Sequence, residues 1–366
     1  MNPRVLFVGR TRYRLPLEGG LARKWDALGE TMELRAIASG TGSDPRFRLV
    51  PPRRLDGPRF YAALPFRIAR EIRSFQPVVV VAETPYEGIA IELARRLARA
   101  RVRTVVEVHG DWRTSTRLYG SPLRRVLAPI GDALAAWAIR RADAVRTLSP
   151  FTSGLVRGLG VEPSGEFVAF VDLDLFGASP PVQLPDPPQA LFVGVLELYK
   201  NVDGLVEAWR LVARRLPAAR LRIIGDGIRG DLAAALVREL PGRVEWAKRL
   251  TPGEVAAAID GSTCLVLPSR SEGLPRVAVE ALCRGRAVVG TRGGGIPDIV
   301  EDGANGLLVE PGDTGALAAA LERILTDREL AERLGGGAEA SSGRWRSSPE
   351  QFAENMRAVV ERARTR

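Results

Sequence analysis

The sequence predicts an α/β protein of two domains, each a parallel sheet wrapped by crossover helices. Three observations carry this reading. Short apolar strand-like runs alternate with amphipathic, Ala- and Arg-rich helical runs. The rhythm plays out in the first half and starts again in the second. Between the halves lies Gly177-Ala178-Ser179-Pro180-Pro181-Val182-Gln183-Leu184-Pro185-Asp186-Pro187-Pro188, whose five prolines interrupt both ladders and helices. Residues 1–176 are therefore expected as one domain, 177–188 as a linker and 189–345 as the second domain. A terminal helix over 346–366 is expected to pack back toward the first domain. With 366 residues, each half is long enough for its own core.

In the first half the short apolar runs predict strands at Arg4–Gly9, Met32–Ala38, Val78–Ala82, Thr104–His109 and Ala144–Leu148. Helical spacing between them predicts helices at Leu21–Leu28, Pro65–Ser74, Gly88–Arg99 and Leu123–Arg140. In the second half strands are expected at Ala190–Val195, Arg220–Ile224, Val244–Ala247, Thr263–Leu267, Ala287–Gly290 and Gly306–Val309. Its helices are expected at Val202–Leu216, Asp231–Glu239, Gly253–Gly261, Ala278–Arg284 and Thr314–Leu325. After Gly335-Gly336-Gly337 a polar tail leads to a last helix, Pro349–Arg364, whose Phe352, Met356, Val359 and Val360 need a docking surface.

Composition excludes several classes. Apolar residues make up 45% and charged residues 26%, as in soluble globular proteins. Two Cys cannot build a disulfide framework and suit a reducing compartment. One His and no Cys cluster argue against a metal site. No apolar run approaches the roughly 18 residues of a membrane span, and the amino terminus reads as a strand rather than a leader. The expected location is therefore cytoplasmic.

The charge is uneven. Residues 1–170 hold 28 basic and 16 acidic residues, whereas 171–366 hold 25 and 27. A basic half suits an anionic membrane surface, nucleic acid or an acidic substrate. No recognition helix or zinc finger is present, so nucleic acid is not expected. Arg59–Arg73 interleaves aromatics with Arg and allows two readings. It lies on a membrane interface at the inner face of the cell membrane, or it is an ordinary helix with Phe66, Ile68, Ala69 and Ile72 toward a core.

Two stretches invite a chemical reading. Gly225-Asp226-Gly227-Ile228-Arg229-Gly230 is a G-x-G-x-x-G after a strand, with Glu245 twenty residues on, as in dinucleotide sites. It follows the second strand of its domain rather than the first, and a tight strand-to-helix turn is the other reading. The richer stretch is Pro268–Leu282, a strand-to-helix loop with Glu272 in the loop and Glu280 two helical turns on. Backbone amides at such a helix start suit an anion. The carboxylates suit the hydroxyls of a sugar and a ribose.

Taken in order, Lys200, this E-x7-E loop, Thr291-Arg292-Gly293-Gly294-Gly295-Ile296-Pro297-Asp298-Ile299-Val300 and Glu301–Asp313 resemble retaining glycosyltransferase family 4. The resemblance covers about residues 190–313 closely and the rest more loosely. It implies a GT-B fold, with two Rossmann-like domains facing a central cleft, and the Gly225–Gly230 turn becomes a family feature. It implies a retaining transferase that moves a sugar from a nucleoside-diphosphate sugar to an acceptor hydroxyl. Lys200 is then expected on the donor diphosphate, Glu272 with the Gly273 and Leu274 amides on sugar and phosphate, and Glu280 on the ribose. His109 is expected near the reacting centre and Gly19 and Gly20 at the first donor loop. Arg249 and Leu250 are expected beside the base. One departure is Val195, where many members carry an Arg paired with the lysine. Arg12, Arg14 or Arg276 could replace that charge.

The resemblance also implies front-face attack, with the leaving phosphate taking the acceptor proton, rather than a covalent glycosyl intermediate on Glu272. Asp172-Leu173-Asp174 looks like a D-x-D metal motif, but it falls at the expected domain junction, so no metal or other cofactor is expected. The acceptor class stays open between glycan, lipid-linked and small-molecule acceptors. Other readings on the same residues are a nucleotide-sugar epimerase, a degenerate sugar-nucleotide binding protein and an NAD-dependent oxidoreductase.

Overall fold

The computed structural model describes residues 2–52, 56–114, 122–177 and 181–366. They form two compact units. The first comprises residues up to 171 together with 347–366, and the second comprises 172–177 and 181–346.

The first unit is a seven-stranded parallel sheet. Its strands are β1 Arg4–Arg14, β2 Glu33–Thr41, β3 Phe47–Val50, β4 Val79–Ala82, β5 Arg103–Val108, β6 Ala144–Thr147 and β7 Gly165–Glu166, in the order β3-β2-β1-β4-β5-β6-β7. The order reverses between β1 and β4. The central strand β4 is Val-Val-Val-Ala and fully buried, because helices cover both sheet faces. On one face lie α2 Asp56–Phe75, α3 Pro85–Ala98, α4 Pro122–Arg141 and α5 Pro150–Arg157. On the other lie α1 Gly19–Thr31 and the C-terminal helix Pro349–Thr365. That last helix buries Phe352, Met356, Val359 and Val360 beside Trp25, Leu28 and Val105. Local chemistry starts these helices. Thr84 accepts from Tyr86 N ahead of Pro85 in α3, and Ser149 forms a capping box with Thr152 ahead of Pro150 in α5.

The second unit is a six-stranded parallel sheet. Its strands are β8 Gln189–Val193, β9 Arg220–Ile224, β10 Val244–Ala247, β11 Cys264–Leu267, β12 Ala287–Thr291 and β13 Gly306–Val309, ordered β10-β9-β8-β11-β12-β13. Its reversal falls between β8 and β11. Helices α6 Asp174–Gly177, α7 Val202–Arg215, α8 Gly230–Glu239, α9 Pro252–Asp260, α10 Arg276–Cys283, α11 Ile296–Ile299, α12 Thr314–Thr326 and α13 Arg328–Ser342 complete it. Trp209 of α7 and Leu321 and Ile324 of α12 pack on Phe192, Val266 and Val289 of the sheet. The proline-rich stretch is held to this unit. Buried Arg286 donates from one nitrogen to the carbonyls of Val182 and Asp260, both at 2.7 Å.

Several expectations need correction. The first strand runs on to Arg14 through an irregularity between Val8 and Arg12. Strands β3 and β7 and helix α5 were not expected, because runs this short carry little periodicity. Helix α2 starts nine residues earlier than expected and holds Pro65 inside, since Phe60 and Leu64 also reach the core. In α2, Ile68, Ala69 and Ile72 are buried but Phe66 is 66% exposed, so it faces away from the core. Gly335-Gly336-Gly337 opens no polar tail and lies inside α13. A Cβ at Gly335 would sit 2.6 Å from the Gly285 carbonyl oxygen, and one at Gly337 2.0 Å from that of Ala304. These glycines let a helix backbone rest on other backbone.

Candidate functional site

In the second unit, the loops after β8 and β11 meet at the reversal of strand order, where open parallel sheets hold ligands. After β8 the chain makes a short 3-10 turn, Leu198–Lys200, and passes through left-handed Asn201 into α7. This turns Lys200 inward. Its Nζ donates to Glu272 Oε1 at 2.5 Å, with the two side chains 9% and 10% exposed. Ser269 Oγ donates to the same oxygen at 2.7 Å. Glu272 does not cap α10, whose first cap position is Pro275 with no side-chain bond.

Two neighbouring turns seat the loop. Arg270 N donates to the Tyr199 carbonyl at 2.7 Å, and the Arg270 guanidinium donates to Asn201 Oδ1 at 3.1 Å. After β12, Gly295 N donates to the Glu272 carbonyl at 2.9 Å. Gly294 has φ +65°, and a Cβ there would lie 2.2 Å from that carbonyl oxygen. Gly273 and Leu274, half-buried, complete the loop. Glu280 lies two turns into α10 with its side chain 12% exposed. Burial pushes its carboxyl above the ordinary range, and Arg276 at 3.9 Å only partly opposes this. Arg249 and Leu250 stand between β10 and the Thr251 cap of α9, on the same carboxyl-end edge of the sheet. Val195 is 46% exposed.

The Gly225–Gly230 stretch is not a dinucleotide fingerprint. Gly225 N donates to the Ala247 carbonyl, Gly227 N to Asp226 Oδ1 and Gly230 N to the Gly227 carbonyl. Those amides serve the turn rather than facing outward for a pyrophosphate. A Cβ at Gly225 would sit 1.8 Å from the Gly194 carbonyl oxygen, so this glycine lets two loops of the sheet edge touch. Glu245 lies 3.7 Å from Arg222. Asp172 accepts from Asp174 N at 3.3 Å, a local turn that starts α6.

In the first unit, the reversal between β1 and β4 carries a second group. Glu83, directly after β4, accepts from Thr11 N at 3.3 Å and from the Thr11 hydroxyl. A Cβ at Gly9 would lie 1.8 Å from Glu83 Oε2, so the carboxylate occupies the space that this glycine leaves. A pocket of about 450 Å³ opens here, lined by Arg10, Arg12, Tyr61, Glu83, Glu87 and His109. Glu87 accepts from Tyr61 Oη at 2.9 Å and from Thr84, and burial pushes its carboxyl up.

His109 is the first residue after β5. Its Nε2 lies 3.4 Å from Glu107 Oε2. The other oxygen of Glu107 accepts from Arg146, which is 1% exposed. Arg146 also donates to the Phe167 carbonyl at 3.0 Å and stacks 5.3 Å from the Phe352 ring of the C-terminal helix. Burial alone would raise the Glu107 carboxyl, but Arg146 and His109 hold it down at about 2. Gly19 and buried Gly20 start α1, with Gly19 at φ +57° in open space. Glu83, Glu107 and Arg146 were not singled out from the sequence. The available signal was a charged residue in or just after an apolar strand, which a parallel sheet buries only with a partner.

Two family models match the chain. Residues 180–340 match glycosyl transferases group 1, and residues 19–168 match the glycosyl transferase 4-like domain. The sulfoquinovosyl transferase SQD2 of Arabidopsis thaliana is 32% identical over 169 residues, covering 45% of this chain and 32% of that protein. The alpha-D-kanosaminyltransferase of Streptomyces kanamyceticus is 30% identical over 251 residues, 64% of each chain. The chain thus spans about a third to just under two thirds of these curated relatives. Among solved structures, sucrose-phosphate synthase from Thermosynechococcus elongatus superposes with TM-score 0.78 over 98% of both chains at 19% identity, a likeness of fold.

Proposed function

The chain belongs to the group 1 glycosyl transferases of the family 4 kind, with an α/β fold of the GT-B type, and from that premise we propose that it moves a sugar from a nucleoside-diphosphate sugar to an acceptor hydroxyl, with retention. The observation that carries this is the Lys200–Glu272 pair where the strand order reverses between β8 and β11. A buried cation beside a loop with a helix start suits a diphosphate. Both named relatives are sugar transferases, which supports the same reading.

In this reading the second unit holds the donor. Lys200 releases Glu272 and takes the diphosphate, and Glu272 then turns to the sugar hydroxyls with the Gly273 and Leu274 amides. Glu280 accepts from the ribose hydroxyls, and Arg249 and Leu250 border the base. The first unit supplies the acceptor pocket beside Glu83 and His109. The bond between the anomeric carbon and the phosphate oxygen breaks as the acceptor oxygen bonds to that carbon on the same face. The acceptor proton passes to the departing phosphate. Lys200 stabilises the growing negative charge, so no metal is required. Undiminished turnover in a chelator is the expected result, and activity that manganese alone restores would overturn the metal-free step.

Calorimetric titration with UDP, GDP, ADP, dTDP and NAD tests the donor site. One nucleoside diphosphate should bind selectively. Lys200→Ala and Glu280→Ala should each weaken it at least about tenfold, the scale of a lost charge-assisted hydrogen bond. Tight NAD binding indifferent to both substitutions would sink the proposal.

A further inference from the structure

We propose that the outer surface of the α2–α3–α4 layer docks on an anionic lipid bilayer, with an apolar ridge of α4 entering the headgroup region. The proposal stands on surface chemistry alone and does not rest on the transferase reading. Helix α4 is apolar on two sides. Ala128, Ala135, Ala138 and Ile139 are buried, the last two turns against the sheet. On the adjoining side Val126 is 74% exposed, Leu127 49%, Ile130 60%, Leu134 43% and Trp137 36%. At roughly 100° per residue these five fall within an arc of about 100°, a continuous ridge. Scattered exposed apolar residues are ordinary, but a contiguous row marks an interaction surface. Helix α3 packs against both α2 and α4 on the same sheet face, so the three outer sides form one surface. Leu93 and Leu97 of α3 and Phe66 of α2 extend the exposed apolar area.

Charge selects the occupant. Among the described side chains of these helices, the exposed charged ones are Arg59, Arg67, Arg70 and Arg73 on α2, Arg96 on α3, and Arg140 and Arg141 on α4. Glu71, Glu87 and Glu92 are buried and Asp132 is half-buried, so no described carboxylate on the layer is exposed. A second copy would set arginine against arginine. A plane of anionic headgroups over an apolar interior satisfies both the ridge and its cations. Trp137 carries the Arg141 guanidinium 5.9 Å from its ring, an amphipathic pair suited to the headgroup level.

Co-sedimentation of the full chain with vesicles tests this. Binding to mixed phosphatidylglycerol–phosphatidylcholine vesicles and none to pure phosphatidylcholine is expected, with binding that weakens as salt rises. The pair Ile130→Glu and Leu134→Glu should cut vesicle binding at least tenfold, and the pair Arg140→Glu and Arg141→Glu severalfold. Thermal melts should not move, because these side chains already face solvent. Trp137→Ser is a milder variant should the paired changes disturb folding, and it too should weaken binding. Absence of vesicle binding, or binding indifferent to every variant, would overturn the proposal. So would a wild-type dimer that the Ile130 and Leu134 changes render monomeric, which would make the ridge an interface between copies. Calorimetric donor binding is read separately, so failure on vesicles leaves the transferase reading untouched.

Discussion

At Glu107 burial and charge pull one carboxyl in opposite directions. Burial favours the neutral acid, whereas Arg146, His109 and Lys24 favour the anion and set its pKa at about 2, below the ordinary 4.5. A depressed folded value has a definite sign. Ionised Glu107 adds stability above about pH 4.5, and that stability drains away as pH falls toward about 2. The difference is on the order of 3 kcal/mol. Glu107→Gln is therefore expected to be less stable at neutral pH and to show a flatter stability profile below pH ~4.5. Urea unfolding across that range checks it, and equal acid slopes in both proteins would contradict the account. The same carboxylate lies 3.4 Å from His109 Nε2, the side chain proposed to meet the substrate.

At the scale of an element, α13 carries three consecutive glycines, each worth about 1 kcal/mol less than Ala in a helix interior. Packing explains two of them. Gly335 and Gly337 rest on the carbonyls of Gly285 and Ala304, while Gly336 is exposed with nothing within 4 Å of a Cβ placed there. The two outcomes should differ in sign. Gly336→Ala is expected to stabilise the protein by about 0.5–1 kcal/mol. Gly337→Ala must push α13 off the turn before β13 and is expected to cost about 1–3 kcal/mol. Thermal melts of the two variants decide this, and equal stability would show that α13 shifts freely. The same contrast explains the loop after β12, where Gly294 must be small for the Glu272 loop to seat.

At the scale of the molecule, the chain's last helix belongs to its first unit. Phe352, Met356, Val359 and Val360 are each at most 3% exposed in that unit's core. Exposing a residue of this kind costs about 1.5–3 kcal/mol, so the four together rival the ~5–15 kcal/mol total stability of a domain. Deletion of residues 347–366 is expected to remove or strongly lower the first unit's melting transition and to leave the second unit's in place. Scanning calorimetry measures both, and a truncated chain melting within a few degrees of the full chain would refute it. The second unit keeps its transition because its core of Phe192, Trp209 and Leu321 takes nothing from that helix.

The α/β class, most strands and helices and the loops bearing Lys200 and Glu272 were legible in the sequence. Each depends on neighbours within a few residues: apolar period, a capping residue, a glycine after a strand. Contact between groups far apart in the chain was decided only by tertiary structure. Lys200 and Glu272 are 72 residues apart, as are Thr11 and Glu83, and Glu107 and Arg146 are 39 apart. Which strands lie side by side sets these meetings, and strand order is not written in any local period. The helix period of α4 and the residues of α13 could be read off the chain, but not which side of α4 stays bare or which glycines of α13 are pressed on backbone. Burial is a property of what packs against a face, and that is fixed when the sheet and its helices assemble.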